Sequence, residues 1–194
     1  MVEQRQVHLI VAKHVMRYLK GTIEYGIKYD ADCEFKLHGY FDSDWVGSVT
    51  DRKSTSRCFF SLGSGMISWF SRKQTSVALI TTVAEYMATC LACIEAVWLW
   101  KLRSGLFDIE LDATSICCDN QSCIKLSVNP VFHDKSKHIG IKYHFIRDVV
   151  EKGTMKLHYV ATNEQVADVL TKPLSKVKVE YFRDKLGLVP RKRE

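Results

Sequence analysis

Apolar and polar residues change their spacing several times along the chain, and each change marks an element. Across Val7–Lys20 the apolar residues Val11, Val15, Tyr18 and Leu19 approximate helical spacing, with Gly21 as the stop. The period then shortens. EYGIKYD and CEFKLHGYFDSDW read as two strands, and in the second Phe35, Leu37 and Phe41 alternate with Lys36, His38 and Asp42. A period of two places Asp42 and Asp44 on one strand face. After the polar, turn-like DRKSTS, the stretch RCFFSLGSGMISWFS predicts a hairpin, two β-rich runs around Gly63-Ser64-Gly65.

From Ser76 to Leu102 neither Pro nor Gly occurs, and alanines recur at 84, 88, 92 and 96. Small residues at that spacing predict a long, mostly buried helix packed closely on a sheet and ended by Gly105. TSICCDN predicts a strand, QSCIKLSV a short helix closed by Asn129-Pro130, HIGIKYHFIRDVVEKG a helix ended by Gly153, and TMKLHYV a strand. Thr162 and Gln165 match a capping box ahead of a helix over VADVLTK. A last helix is predicted within Tyr181–Leu188, before the basic tail RKRE. This order favours an α/β domain, a mixed sheet with helices on both faces.

Composition narrows the class without identifying the chemistry. With 194 residues, 46% of them apolar and 26% charged, the chain suits one globular domain with an appendage. That excludes disordered, collagen-like and coiled-coil chains. No uninterrupted apolar run approaches the ~18 residues that span a bilayer, and MVEQRQVHLI lacks the apolar core of a signal peptide. A soluble intracellular protein is expected. The formal charge of +6 fits a nucleic-acid partner and an ordinary solvated surface alike. Seven cysteines follow no zinc-ribbon spacing, and Cys90 and Cys93 form a lone C-x-x-C inside an apolar helix. Free, mostly buried thiols are expected.

Four acidic residues carry the candidate chemistry. Asp42 lies near the end of an alternating strand, Asp119 closes TSICCD before a helix, and Asp168 falls in the first turns of the helix after Gln165. Each has a plain structural reading: a strand end, a helix N-cap, a solvated helix acid. Glu85 lies among Ala84, Tyr86, Met87 and Ala88. A carboxylate there is costly to bury without a partner, so it calls for an ion pair or a bound cation. Hard oxygen donors without a Cys or His pattern suit Mg²⁺ or Mn²⁺ rather than zinc.

GYFDSDW, DRKSTS, ISWFSRKQTSVAL, AEYMA, CDNQS, NPVFHDKSKHI, YHFIRD and NEQVADVLTKPL occur in that order. Together they resemble the ribonuclease H domain of Ty1/copia-type LTR retrotransposon Pol polyproteins, most of all the plant copias. The resemblance runs from about His8 to Leu188. It implies a ribonuclease H-like fold, with a five-stranded mixed sheet and helices on both faces. It also implies a catalytic, metal-binding tetrad of Asp42, Glu85, Asp119 and Asp168, holding two Mg²⁺ or Mn²⁺ ions, with Asp42 and Asp119 between them. Residues 1–30 resemble the connection to reverse transcriptase, 31–175 the ribonuclease H-like domain, and 176–194 a C-terminal helix and basic tail. Three positions depart from the pattern. Val83 replaces an acidic residue, Arg57 stands where the family carries glycine, and Gly140 stands where it carries aspartate. Arg57 is expected to strain a turn.

Two basic groups are candidate phosphate contacts. One comprises Lys135, Lys137, His138, Lys142, His144 and Arg147; the other comprises Arg72 and Lys73, with Gln74 beside them. Such contacts position a duplex without reading sequence. A solvated helix face is the plain alternative for the first group. Trp45, Trp69, Trp98 and Trp100 are expected in the core. The expected activity is metal-dependent endonucleolytic hydrolysis of the RNA strand of RNA/DNA hybrids during reverse transcription of a retrotransposon. The other open reading is a catalytically silent ribonuclease H-fold module that binds nucleic acid or supports a polymerase. The expected partners are the hybrid and the reverse transcriptase of the same polyprotein, with no membrane and no small-molecule substrate. The expected location is the cytoplasm, in a virus-like particle, or the nucleus.

Overall fold

The computed structural model describes residues 5–48, 50–107, 112–128, 137–170, 172 and 174–191. Helix α1 (Gln6–Thr22) and a short strand β1 (Tyr25–Ile27) lead into a five-stranded mixed sheet. β2 (Leu37–Asp44), β3 (Thr55–Leu62) and β4 (Gly65–Lys73) are antiparallel neighbours. β5 (Thr114–Cys118) lies parallel against the other edge of β2, and β6 (Met155–Tyr159) lies parallel to β5. The predicted hairpin forms, with Gly63 in the left-handed region at φ 58°. Gly39 faces Phe60 across the ladder, and a Cβ there would lie 2.5 Å from the phenyl ring. The ring occupies the space that a side chain would need.

α2 (Thr81–Phe107) packs on one sheet face beside α3 (Gln121–Val128) and α4 (Lys137–Glu151). The alanine stripe at 84, 88, 92 and 96 is buried against Phe41, Phe60 and Ile116, as its spacing predicts. Each fully buried side chain of Phe or Ile size contributes about 1.5–3 kcal/mol. The helix begins later than Ser76, where the Ile80 carbonyl accepts from Val83 and Ala84, and it runs through Gly105. A glycine weakens a helix by only about 1 kcal/mol, too little to end one held by packing. By length and composition α2 could cross a membrane, against the expectation from uninterrupted runs; here most of its apolar stretch is buried inside the protein. The tryptophan expectation fails for three residues. Trp45, Trp69 and Trp98 are exposed, Trp69 at 61%, while Trp100 is half-buried. All seven cysteines are free, and five are buried.

The opposite face carries two 3₁₀ turns, Thr162–Glu164 and Val166–Leu170, and helix α5 (Lys176–Lys185). Phe59, Val166, Phe182 and Leu186 form a second core there. The predicted capping box does not form. Ala161 occupies the cap position of the first turn, without a side-chain bond. Gln165 is instead fully buried and donates its amide to the Phe41 carbonyl at 2.9 Å. That bond anchors the segment to β2, and the expected VADVLTK helix becomes a 3₁₀ turn. The final helix is displaced toward the N-terminus from its predicted span, because Ser175 caps α5 and left-handed Gly187 terminates it. After Gly187, β7 (Leu188–Pro190) pairs antiparallel with β1 in a separate two-stranded sheet. α1 has its predicted extent to within two residues but runs through the expected stop at Gly21 to Thr22, and its apolar stripe is exposed throughout.

Candidate metal centre

β2 is the strand at which the sheet changes from antiparallel to parallel pairing. In open α/β sheets such a change leaves a crevice at the strand ends. The β2–β5 ladder pairs Tyr40 with Cys117, so two residues further on Asp42 and Asp119 come level as the pairing ends. The first turns of α2 bring Glu85 to the same place. Asp42, Glu85 and Asp119 each offer a ligand atom, all within 4.8 Å of one another. Asp42 and Glu85 are buried, and Asp119 is half-buried. The N-cap alternative for Asp119 is not what forms: Asn120 Oδ1 accepts from the Cys123 N–H at 3.0 Å and caps α3. Asp119 is left to the cluster.

Glu85 shows the strongest electrostatic stress. Its Oε1 accepts from the Ser43 N–H at 3.2 Å, while the buried Oε2 has no partner among the described residues. Burial, followed by the charges of Asp42, Cys118 and Asp119, pushes its carboxyl up to about 10. Gln74 fixes the surrounding scaffold. Its amide lies 2.9 Å from Ser56 Oγ, 2.9 Å from the Ala84 carbonyl and 3.3 Å from Ser43 Oγ, joining β3, α2 and β2. It is buried, which removes it from the basic patch proposed for that segment.

Asp168, the fourth acid expected in the site, is not part of that three-carboxylate cluster and is linked to Asp42 through Lys172. Asp168 is buried in the second 3₁₀ turn, with Lys172 Nζ 2.6 Å from its Oδ1. Burial raises the Asp168 carboxyl, with Asp42 adding to the rise and Lys172 opposing it. For Lys172 itself, burial works downward but is outweighed by the Asp168 hydrogen bond and the charges of Asp42 and Asp119, so its net shift is upward. Lys172 Nζ also lies 3.5 Å from Asp42 Oδ2. The same Asp42 oxygen accepts from Arg57 Nη1 at 2.8 Å, and Arg57 Nη2 reaches Asp44 Oδ2 at 3.1 Å. Arg57 therefore strains no turn. It lies within β3, paired in register with Asp42, and is among the most buried side chains.

The donor set suits a hard divalent ion on the Glu85 and Asp119 side. Three carboxylates lie close together, and one buried oxygen has no partner among the described residues. On the Asp42 and Asp168 side, the protein's own ammonium and guanidinium groups already supply positive charge.

The basic candidates separate. Arg72 and Lys73 end β4, two strands across the ladder from Ser43 and Asp44. Arg72 is exposed and stacks over Phe70, 5.1 Å from the ring centroid, and Lys73 pairs with Asp51 at 2.7 Å. Lys142 is half-buried on α4, and His144, two residues on and about half a turn round the helix, is exposed. Lys137 opens α4. Lys135 lies outside the described residues, as do the side chains of Lys137 and His138. Sequence reasoning missed Lys172 and the role of Arg57. The sequence signal for Lys172 is its place four residues after Asp168 in ADVLTK, one helical turn away.

No protein-family model matches the chain. It is 40% identical over 183 residues to the retrovirus-related Pol polyprotein from transposon RE2 of Arabidopsis thaliana, covering 94% of this chain and 12% of that protein. It is 36% identical over 181 residues to the corresponding polyprotein from transposon TNT 1-94 of Nicotiana tabacum, covering 93% of this chain and 14% of that protein. The chain thus spans a small part of these relatives. Among solved structures, a ribonuclease H1 isolated from compost superposes with a TM-score of 0.52 at 16% identity, covering 70% of this chain and 92% of that one. The fold is that of ribonuclease H.

Proposed function

We propose that this chain, homologous over nearly its whole length to a segment of plant retrotransposon Pol polyproteins and folded as a ribonuclease H domain, hydrolyses the RNA strand of RNA/DNA hybrids during reverse transcription. The observation that carries this is the cluster of Asp42, Glu85 and Asp119 at the strand ends, with one buried carboxylate oxygen unpartnered among the described residues. Asp42, Glu85 and Asp119 would hold Mg²⁺ or Mn²⁺, and Asp168 completes the acidic wall. A bound divalent ion supplies Lewis acidity, easing deprotonation of water and offsetting charge on the phosphoryl group. Asp119, the least buried of the three, would be the member nearest an approaching phosphodiester. Arg72 and Lys73 lie at the same end of the sheet and would hold the backbone of the duplex, a sequence-independent contact. Its setting would be the Pol polyprotein, beside reverse transcriptase, in a cytoplasmic particle or the nucleus.

A second reading has its own observation. Arg57 inserts a fixed positive charge into the acidic cluster, which favours a module that binds hybrids without cutting them. One experiment separates the two. Purified parent and Asp119→Asn are incubated with a labelled RNA/DNA hybrid in Mg²⁺ or Mn²⁺. Cleavage by the parent, lost by about 10²-fold or more in the folded variant, supports the enzyme. Binding without cleavage in either metal supports the silent module.

A further inference from the structure

Arg57 lies in β3, in the antiparallel half of the sheet, with only 1% of its surface exposed. Its Nε has no hydrogen-bond partner among the described residues, and the pairs with Asp42 at 2.8 Å and Asp44 at 3.1 Å hold the charge in the interior. Both Arg57 and Lys172 address the same oxygen, Asp42 Oδ2. A divalent ion on that oxygen would sit about 2.0–2.6 Å from it. It would then lie within about 5 Å of the guanidinium nitrogen, in a place where like charges are weakly screened. The two cations differ in one respect. Lys172 is 37% exposed and can turn outward, whereas Arg57 is buried and held by two carboxylates, Asp42 and Asp44.

We propose that Arg57 is a resident cation of this site, standing where a second divalent ion would need to bind beside Asp42, so that the chain takes a single Mg²⁺ or Mn²⁺ on the side of Glu85 and Asp119. This rests on the metal-binding part of the reading above and deepens it. The site's charge is then balanced partly by an ion that exchanges with solvent and partly by one that is encoded. Raising the metal concentration fills only the first position. Arg57 touches the acidic cluster and acts through Asp42, which makes it a positioning residue.

The test counts ions. Mn²⁺ is titrated into the full chain and bound ions are counted by electron paramagnetic resonance, where two neighbouring Mn²⁺ ions also give a spin-coupled spectrum. The parent is expected to bind one ion with an uncoupled spectrum, and Arg57→Gly to bind two that couple. Two coupled ions in the parent overturn the inference and leave metal dependence standing. One ion in both proteins also overturns it. No bound Mn²⁺ in either protein removes the metal-binding reading itself, and the inference with it. Where Arg57→Gly does not fold, Arg57→Met keeps most of the bulk and drops the charge. Its first Mn²⁺ should bind about tenfold or more tighter than the parent's, because Asp42 is no longer shared with a guanidinium. Unchanged affinity in Arg57→Met overturns the inference.

Discussion

Asp42 and Glu85 are both removed from water, and the protein treats their charges in opposite ways. Asp42 has a guanidinium at 2.8 Å and an ammonium at 3.5 Å. Glu85 has one backbone N–H and an oxygen without a partner among the described residues. A buried carboxylate can be kept ionised by a neighbouring cation, or left to take up a proton. Both solutions occur here side by side. The contrast shows which half of the cluster needs something from outside the chain. The closed half is satisfied by its own side chains, while the open half is left to take up a proton or, under the function proposed above, a metal ion.

The largest expected effect comes from breaking the closed half. Asp42→Asn leaves Arg57 buried with only the more exposed Asp44 for a partner, and should lose about 3–5 kcal/mol in urea unfolding without metal. Adding Arg57→Met to that variant removes the orphaned charge and should recover most of the loss. Equal losses in the single and double variants would show that the ion pair is not what holds the closed half together.

A smaller effect is expected from the open half, and it depends on pH. The folded-state pKa of Glu85, about 10, lies above its ordinary value of 4.5. A carboxyl raised in this way favours folding while protonated. Its contribution is fully present below about pH 4.5 and is lost progressively as pH rises toward about 10. Without metal, the parent should therefore lose about 2 kcal/mol or more relative to Glu85→Gln between about pH 5 and pH 9. At neutral pH Glu85→Gln should melt no lower than the parent, and saturating Mg²⁺ should raise its melting temperature less. A variant that melts well below the parent without metal would mean that the second Glu85 oxygen has a structural partner.

Lys172→Met should do least. Its ammonium is partly exposed, and such pairs are worth less than about 1 kcal/mol. The change should still tighten Mn²⁺ binding, since one positive charge leaves the cluster. Isothermal titration calorimetry would show it. A loss above about 2 kcal/mol in urea would place Lys172 with Arg57 as part of the fixed framework.

Local sequence chemistry carried much of this fold and left particular parts dark. The hairpin at Gly63, strand β5 followed by α3, and the alanine stripe of α2 each depend on residues close in sequence, so spacing and turn residues suffice. Asp42, Glu85 and Asp119 stood out as acids at element ends or in an apolar helix. The partner of Arg57 did not, because it depends on the register of β2 against β3, which no local pattern states. Gln165 misled for a related reason: its capping-box position was sound locally, and a carbonyl 124 residues away won its amide. Asp119 and Asn120 are adjacent and both good caps, so sequence alone could not assign the cap to Asn120. The exposed tryptophans show that a large apolar body does not dictate burial when a chain has more apolar surface than interior.

The pairing of β1 with β7 decides where a mechanical load would travel. Its three rungs run from Tyr25↔Pro190 to Ile27↔Leu188, and the Lys28 N–H adds a bond to the Gly187 carbonyl. The joint rests on the hairpin tip, where a Cβ on Gly187 would lie 2.6 Å from the Ser64 carbonyl oxygen, and Tyr29 Oη donates to the Met66 carbonyl. Tension along α1 would thus be delivered to α5 and to the tip of the β3–β4 hairpin. Arg57 sits five residues down β3 from Leu62 beside that tip, a span of about 17 Å. The three-rung joint is the first link to take such a load, and it lies at the end of the sheet away from the acids.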